Sequence, residues 1–187
     1  AFPISEYRES DGKIYALNVA APWRNGQGRG LSVVDPITKE TRHLSDAPKY
    51  LWWGNGIIVN DQGQDYLYFT QFNADWGAFV RWQLDAPYDF EVLTLPADAQ
   101  PWVTQSEGPG LAYRPDDHSI YLWSQHKEVY QYHIFDGTWT THTPASGPSI
   151  ASGTDHGVYG RWVYVPELDV FLGINTDARQ GVWAYKP

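Results

Sequence analysis

The feature that most constrains the fold of this chain is a pattern of short β-strands that recurs at nearly constant spacing. In each unit, a run of β-branched and aromatic residues follows a turn rich in Asp, Pro, Gly or Asn. One aromatic position in that run is occupied by Tyr15, Tyr68, Tyr121 and Phe171, at intervals of 53, 53 and 50 residues. A fixed register of this length indicates an internal repeat, which decides the fold before other patterns are considered.

Each unit contains further strand patterns around this central one. A first strand precedes the turn, at 4–8, 56–59, 110–113 and 161–165. The central strand is the second, a third follows at 31–34, 78–84, 128–134 and 182–185, and a fourth is predicted at 40–44, 90–95 and 139–143. The last unit ends before it would have a fourth strand.

Four antiparallel strands in units of about 50 residues predict an all-β fold, a β-propeller of four blades, each a four-stranded antiparallel sheet. The blades fall approximately at 1–47, 48–98, 99–147 and 148–187 of a single propeller domain or propeller fragment. A β-sandwich is the alternative, but it predicts no register of this length. No segment shows sustained helical periodicity.

Two segments resemble a known family of propellers. The third unit reads GPGLAYRP over 108–115 and VYQY over 129–132, which resembles a kelch-type blade. The last unit reads YGRWVYVP over 159–166, with Phe171 and Asn175, and resembles the final blade of secreted kelch-like propellers. The chain lacks the paired glycines that usually end the second kelch strand. The resemblance implies a fold and little chemistry.

The missing last strand raises the question of how the ring closes. Only three residues precede the strand at Ile4, too few to supply a strand at about 3.3 Å per residue. We therefore expect a piece of a larger ring, or a ring that another chain or segment completes. A secreted or periplasmic location is expected from the resemblance.

Composition removes several classes of function. The net charge of -9 argues against a nucleic-acid partner and against an acidic membrane surface. No apolar run approaches the roughly 20 residues of a membrane span. The absence of Cys excludes disulfides, thiolate metal sites and a Cys nucleophile. The scattered His residues show no metal-binding spacing, so no metal and no cofactor are predicted.

The predicted loops divide into two unlike sets, because alternate loops of a propeller lie on opposite faces. One face receives short turns containing Asp35, Asp85, Asp116 and Asp136, for which ordinary turn chemistry is favoured over calcium binding. The other face, the top face, receives loops rich in Trp, Arg, His, Asn and Gln.

The top-face loops predict a carbohydrate ligand, since aromatic rings stack on sugar CH faces while amide, carboxylate and guanidinium groups bond hydroxyls. The candidate ligand-binding residues are Trp23, Arg24, Asn25, Trp53, Asn55, Asn73, Trp76, Gln105, Glu107, His126, Asp155 and Arg179. The alternative for individual tryptophans such as Trp52, Trp102 and Trp162 is packing between sheets.

One cluster in the top loops offers catalytic chemistry. His156 and Tyr159 provide a base and an acid, and Arg161 can neutralise a carboxylate, as a polysaccharide lyase acting on uronates requires. The alternative is that Tyr159 and Arg161 join neighbouring blades by hydrogen bonds. A paired-carboxylate glycosidase using Glu107 with Asp155 or Asp75 also stays open.

The favoured hypothesis is therefore an extracellular carbohydrate-binding propeller module for a poly- or oligosaccharide. The first alternative is a polysaccharide lyase or other carbohydrate-active enzyme. The second is a protein-interaction scaffold, the common use of kelch repeats, which an exposed apolar patch on the top face would favour.

Overall fold

The computed structural model describes residues 4–18, 30–47, 53–72, 78–97, 109–123, 128–145, 162–174 and 181–187, and these ranges are all-β. Blades 1 and 2 contain β1 (Ile4–Arg8), β2 (Lys13–Asn18), β3 (Gly30–Val34), β4 (Thr41–Asp46), β5 (Trp53–Asp61), β6 (Gln64–Phe72), β7 (Ala78–Gln83) and β8 (Phe90–Leu93). Blades 3 and 4 contain β9 (Gly110–Arg114), β10 (Ser119–Trp123), β11 (Val129–His133), β12 (Thr138–His142), β13 (Trp162–Val165), β14 (Val170–Ile174) and β15 (Val182–Tyr185).

Each blade is an antiparallel sheet whose strands lie in chain order. Three sheets have four strands, and the sheet of blade 4 has three in the described part of the chain. The prediction of a β-propeller with four-stranded antiparallel blades is confirmed. None of the helical segments among the described residues is long and apolar enough to cross a membrane.

The first hairpin of blade 2 is longer than the sequence pattern predicts. Pairing of β5 with β6 extends from Trp53–Phe72 to Asp61–Gln64, across a turn of only Gln62 and Gly63. Gln62 and Gly63 both adopt positive φ, at 51° and 90°. A two-residue turn of this kind matches the twist of the flanking strands, so the ladder continues to the turn itself.

The first strands of the blades form the innermost row. β1 packs on β5, β5 on β9, and β9 on β13. The upper end of the propeller is where these four strands begin, and the lower end is where they finish. The forward face of a blade is the face toward the next blade along the chain, and its back face is turned to the previous one.

The cores lie between the blades, because each strand alternates side chains between the two faces. Between blades 1 and 2 the core contains Leu17, Leu31, Leu67, Phe69 and Trp82, each with no exposed side-chain surface. Tyr68, Phe79, Ile120 and Tyr132 build the core between blades 2 and 3, and Tyr121, Trp123, Trp162 and Phe171 the core between blades 3 and 4. The aromatic content of the chain thus serves largely to join sheets.

Short turns at the lower end are held by their own carboxylates, as predicted. The Asp35 carboxylate accepts hydrogen bonds from the backbone N–H groups of Ile37 and Thr38, at 2.8 and 3.0 Å. Asp136 accepts in the same way from Thr138 at 3.0 Å. These bonds lower the pKa of both carboxyl groups, so the two turns stay capped as the pH falls.

Candidate functional site

The upper end is bordered by strand ends that flank the longer connecting segments. Second and third strands meet there through the pairs Asn18–Gly30, Gln71–Ala78, Trp123–Val129 and Ile174–Val182. Fourth strands also finish at this end, so each connection between blades starts and returns there. The topology therefore gathers all these connections on one face.

Two of the predicted ligand-binding residues lie in the described part of the chain. Trp53 and Asn55 occupy the upper end of β5, where the backbone pairs them with Phe72 and Thr70. The Asn55 side chain is half-buried. Both positions thus border the face on which the sequence places the ligand.

The remaining candidates lie outside the described residues. These are His156, Tyr159 and Arg161 of the proposed catalytic group, and Trp23, Arg24, Asn25, Asn73, Trp76, Gln105, Glu107, His126, Asp155 and Arg179 of the ligand-binding set. Their roles stay predictions. Among the residues that are described, no group of three or more His, Asp or Glu side chains is placed to hold a metal ion.

Glycines bring the innermost strands of blades 1 and 2 close together at the upper end. A Cβ added at Gly54 would lie 1.8 Å from the carbonyl oxygen of Thr70, and one at Gly56 would lie 2.6 Å from Cγ2 of Ile4. Ile4 therefore packs directly over β5. A side chain at either glycine would force β1 or β6 to move.

Glu6 is the residue of most chemical interest on these innermost strands. It lies two residues after Ile4 on β1, and its side chain is half-buried. No hydrogen-bond or ion-pair partner is found for its carboxyl group among the described residues. Burial raises the pKa of Glu6 to about 7. A carboxyl group that titrates near neutral pH can both donate and accept a proton, which suits general acid–base chemistry.

Sequence reasoning missed Glu6, although one signal was present. The strand at Ile4–Arg8 alternates between two faces, so Glu6 shares its face with Ile4 and Arg8. Because the forward face of a blade packs on its neighbour, a glutamate between these two positions is placed in an environment poor in water. The alternation placed Glu6 on the row of Ile4 and Arg8, but only the packing of blade 1 on blade 2 shows that its carboxyl group is buried.

At the lower end, Arg8 joins blade 1 to blade 2. Its Nε donates to Oδ2 of Asp65 at 2.6 Å, and its two terminal nitrogens donate to the Asp85 carboxylate at 2.9 and 2.8 Å. One terminal nitrogen also donates to the hydroxyl of Tyr15 at 3.0 Å. Four of the five guanidinium N–H donors are thus engaged by groups from the two blades.

The Asp65 carboxylate is held in its charged form by the same contacts. Burial acts to raise the pKa of Asp65, but hydrogen bonds from Asn60, Arg8 and Ser10 outweigh it, and the pKa falls below its usual value. Asp85 also has a lowered pKa, chiefly through its hydrogen bonds from Arg8. The charges that join the two blades therefore persist at acidic pH.

An equivalent contact joins blade 3 to blade 4. Arg114 donates to both oxygens of Asp169, at 2.9 and 3.2 Å, and to Oδ2 of Asp117 at 2.8 Å. The hydroxyl of Tyr164 also donates to Asp169, at 3.0 Å. Arg8 and Arg114 are each the last residue of a first strand, so the contact recurs at the same place in two blades.

Between blades 2 and 3 the carboxylate lies on the first strand instead. Asp61 ends β5, two residues beyond Val59, which holds the position of Arg8 and Arg114, and His118 of blade 3 lies 3.1 Å from the Asp61 carboxylate. The other ring nitrogen of His118 lies 2.7 Å from the hydroxyl of Tyr113. A carboxylate thus contacts an Arg or His side chain across each described junction.

Because the same contact recurs at three junctions, it serves to hold the blades together rather than to bind a ligand. The prediction that lower-end Asp residues act in turn chemistry therefore needs an addition for Asp85. Its carboxylate accepts hydrogen bonds from Arg8 of the neighbouring blade, which the turn alone does not require. The lower end is structural, and the upper end is left as the candidate functional face.

The alternative of tryptophan packing is confirmed for Trp162. Only 4% of its side chain is exposed, and its ring lies 5.1 Å from that of Phe171 in a stacked arrangement. Its indole N–H donates to the backbone oxygen of Tyr121 at 3.2 Å. The ring lies equally close to Trp123, at 5.1 Å. Trp162 therefore joins blades 3 and 4 and is not part of a ligand surface.

Comparisons with known proteins support the fold. No known protein family and no curated protein matches the sequence. A glycosyl hydrolase structure from Bacteroides ovatus superimposes with a TM-score of 0.52 at 13% identity, over 95% of this chain and 61% of that one. A second similar structure comes from a study of the GH130 family of mannoside phosphorylases. That family contains glycoside hydrolases that target β-1,2-mannosidic linkages in Candida mannan. The second structure has a TM-score of 0.46 at 13% identity, over 94% and 60% of the two chains. The chain thus spans about three fifths of the length of the structures that it resembles.

Proposed function

We propose that this chain is a carbohydrate-binding β-propeller whose ligand face lies at the upper end. The observation that carries the proposal is the uneven distribution of tryptophan between the two ends. The segments that connect strands at the upper end contain Trp23, Trp52, Trp76 and Trp102, and β5 begins there with Trp53. The turns at the lower end contain no tryptophan.

The polar residues of the same segments supply the second half of a sugar site. Arg24, Asn25, Asn73, His126 and Arg179 all belong to upper-end connections, together with Gln105 and Glu107. Rings that stack on sugar faces, with planar hydrogen-bonding groups beside them, form the usual composition of a carbohydrate site. The fold that this chain shares with a glycosyl hydrolase agrees with such a ligand, although a fold alone does not assign one.

The test is binding to a panel of soluble glycans that includes xylan, β-mannan, cello-oligosaccharides and polygalacturonate. Saturable binding to at least one glycan is expected, weakened at least tenfold by Trp23→Ala, Trp53→Ala or Trp76→Ala. The matched control is Phe135→Ala, an aromatic residue that is 82% exposed in a lower-end turn and should bind as the unchanged protein does. Binding that is insensitive to all three tryptophan variants would remove the proposal.

A carbohydrate-active enzyme is the second candidate, and Glu6 is the observation that favours it. Its titration near neutral pH suits proton transfer to or from a glycosidic oxygen. The sequence adds His156, Tyr159 and Arg161 as the group of a polysaccharide lyase. Incubation with polygalacturonate or alginate should then yield unsaturated ends that absorb in the ultraviolet, and His156→Ala should abolish them.

A reducing-end assay on neutral glycans separates hydrolysis from elimination. Release of reducing ends without ultraviolet absorbance, lost in Glu6→Gln, would favour a hydrolase over a lyase. Binding without either product would leave the chain as a binding module. A kelch-like scaffold in a secreted or periplasmic setting is consistent with an enzyme and with a binding module. A protein-interaction scaffold would be the remaining candidate if no glycan bound.

A further inference from the structure

The forward face of blade 4 is apolar and exposed. Its side chains lie in three cross-strand rows, which are Val165–Val170, Val163–Leu172–Ala184 and Ile174–Val182. Val163, Ile174 and Val182 expose 52%, 50% and 62% of their surface. The described residues of these rows are all aliphatic, and Lys186 follows Ala184 by two residues at the lower end of the same face. A contiguous aliphatic surface of this kind marks an interface in a soluble protein.

The other three blades show what normally covers such a face. Tyr15, Tyr68 and Tyr121 occupy one position on the forward faces of blades 1 to 3, and each is almost fully buried against the next blade. The sequence pattern placed Phe171 at this position of blade 4, one residue too early. Leu172 is the equivalent residue, paired with Val163 as Tyr121 is paired with Ala112. It remains partly exposed. Blade 4 thus has the side chains of a blade junction without the covering blade.

A matching surface is exposed on the back face of blade 1. Tyr7 is 57% exposed and belongs to the row Tyr7–Ile14–Val34, in which the other two side chains are partly exposed. The next row is Ser5–Ala16–Ser32, made of small residues. On β4 the two rows continue to Thr41 and His43, and the His43 ring lies 2.9 Å from the Asp46 carboxylate, so the outer edge of this face is polar. One face therefore presents branched aliphatic groups, and the other a tyrosine, an isoleucine and a valine beside a shallow strip of small residues.

The two faces also lack the charged groups that face each other at the internal junctions between blades. Each internal junction pairs a charged residue at the end of a first strand with a partner on the next blade, as in Arg8–Asp65, Asp61–His118 and Arg114–Asp169. Blade 4 has Val165 at the strand-end position. Blade 1 has Gly12 where blades 3 and 4 place His118 and Asp169, all three at positive φ before the second strand. Docking of these faces would bury no unpaired charge at this point, whereas either face against an internal blade surface would bury one.

We propose that the forward face of blade 4 docks on the back face of blade 1 of a second copy of this chain. The contact continues the packing order that joins β1, β5, β9 and β13 within one chain. Among the described strands, no contact of similar extent joins β13 to β1. The contact is head-to-tail and uses two different faces, so it generates either a closed ring of copies or a longer chain of them.

Cysteine crosslinking tests the geometry directly, because the chain contains no cysteine. Val163→Cys and Tyr7→Cys are prepared separately, mixed and oxidised, then separated on a denaturing gel without reductant. A disulfide-linked dimer is expected in the mixture and not with either variant alone. A dimer formed by Val163→Cys alone would show face-to-face contact and overturn the proposal. A Tyr7→Cys/Val163→Cys chain that links only within itself would show ring closure in one copy and would overturn it too.

A concentration series in analytical ultracentrifugation supplies an independent readout. The unchanged chain should associate, and Val163→Asp should raise the dissociation constant at least tenfold, because a carboxylate would be buried without a partner. Ile37→Asp is the matched control, since Ile37 is 88% exposed in a lower-end turn, and it should associate normally. Both sites are exposed, and thermal unfolding verifies that both variants fold. A chain that stays monomeric at every concentration, or equal behaviour of both variants, would overturn the proposal.

Discussion

The replacement Glu6→Gln should change how the stability of the protein depends on pH. In the unfolded chain Glu6 titrates near its ordinary value of 4.5, and in the folded protein burial raises its pKa to about 7. The folded state therefore holds this proton more tightly. The contribution of Glu6 to the free energy of unfolding is unchanged below about pH 4.5, falls as the pH rises to about 7, and is constant above that.

The size of the effect follows from the two pKa values. At about 1.4 kcal/mol per pH unit, the interval from 4.5 to about 7 corresponds to about 3–4 kcal/mol. Glutamine cannot ionise, so Glu6→Gln removes this loss. Relative to the unchanged protein, the variant should gain up to about 3–4 kcal/mol in free energy of unfolding between pH 4.5 and pH 8.

Urea denaturation at several pH values between 4 and 8.5 measures the difference. The informative quantity is how the difference in free energy of unfolding between the two proteins changes with pH. The other titrating groups are common to both proteins, so their contributions cancel. Glu9→Gln, at an exposed position in the neighbouring turn, is the control and should run parallel to the unchanged protein. Parallel curves for Glu6→Gln across the whole range would refute the reasoning that Glu6 is buried without a partner.

Three further changes test the packing between blades. Phe171→Ala should lower the free energy of unfolding by about 3–5 kcal/mol in urea denaturation, because it opens a cavity between blades 3 and 4, while Phe135→Ala at the exposed lower-end turn should cost almost nothing. Arg114→Leu should lower the melting temperature by leaving the Asp117 and Asp169 carboxylates without their arginine, and exposed Arg42→Leu serves as the comparison that should show little effect. Gly173→Ala should cost about 1–3 kcal/mol by calorimetry, since its Cβ would lie 2.4 Å from an indole ring; an unchanged melting temperature would contradict the tight contact.

The strands were predictable from the sequence because the repeat reports them several times over. Tyr15, Tyr68 and Tyr121 recur in register, and each marks the second strand of a four-stranded sheet. Alternation of side chains then identifies which residues lie between blades. The structure confirms this organisation and extends the first hairpin of blade 2, whose compact turn allows pairing closer to Gln62 than the pattern showed.

The charged contacts between blades were not predictable in the same way. Arg8 and Asp65 are separated by 57 positions, and Arg114 and Asp169 by 55, so no local pattern links the partners. From the sequence, the lower-end carboxylates were assigned to turn chemistry. That assignment explains Asp35 fully, because the hydrogen-bond partners of Asp35 are its immediate neighbours in the chain. Interactions between blades require the packing of two sheets to be known.

The candidate site likewise contains residues that the sequence predicted and one that it did not. Residue types and topology were enough to place Trp53 and Asn55 at the upper end. They were not enough to find Glu6, whose property comes from burial beside another strand and not from its neighbours in sequence. A lone glutamate in a strand has no motif, so only the environment distinguishes it.

The most direct test of the proposed ligand face is an NMR titration that observes the indole N–H groups of the ten tryptophans, assigned by single replacement. A glycan that binds in the panel should shift the signals of Trp23, Trp53 and Trp76 in a saturable manner. Trp162, which is buried between blades, and Trp139, whose indole N–H donates to the backbone oxygen of Thr94, should not move. Saturable shifts confined to tryptophans away from the upper end would contradict the account.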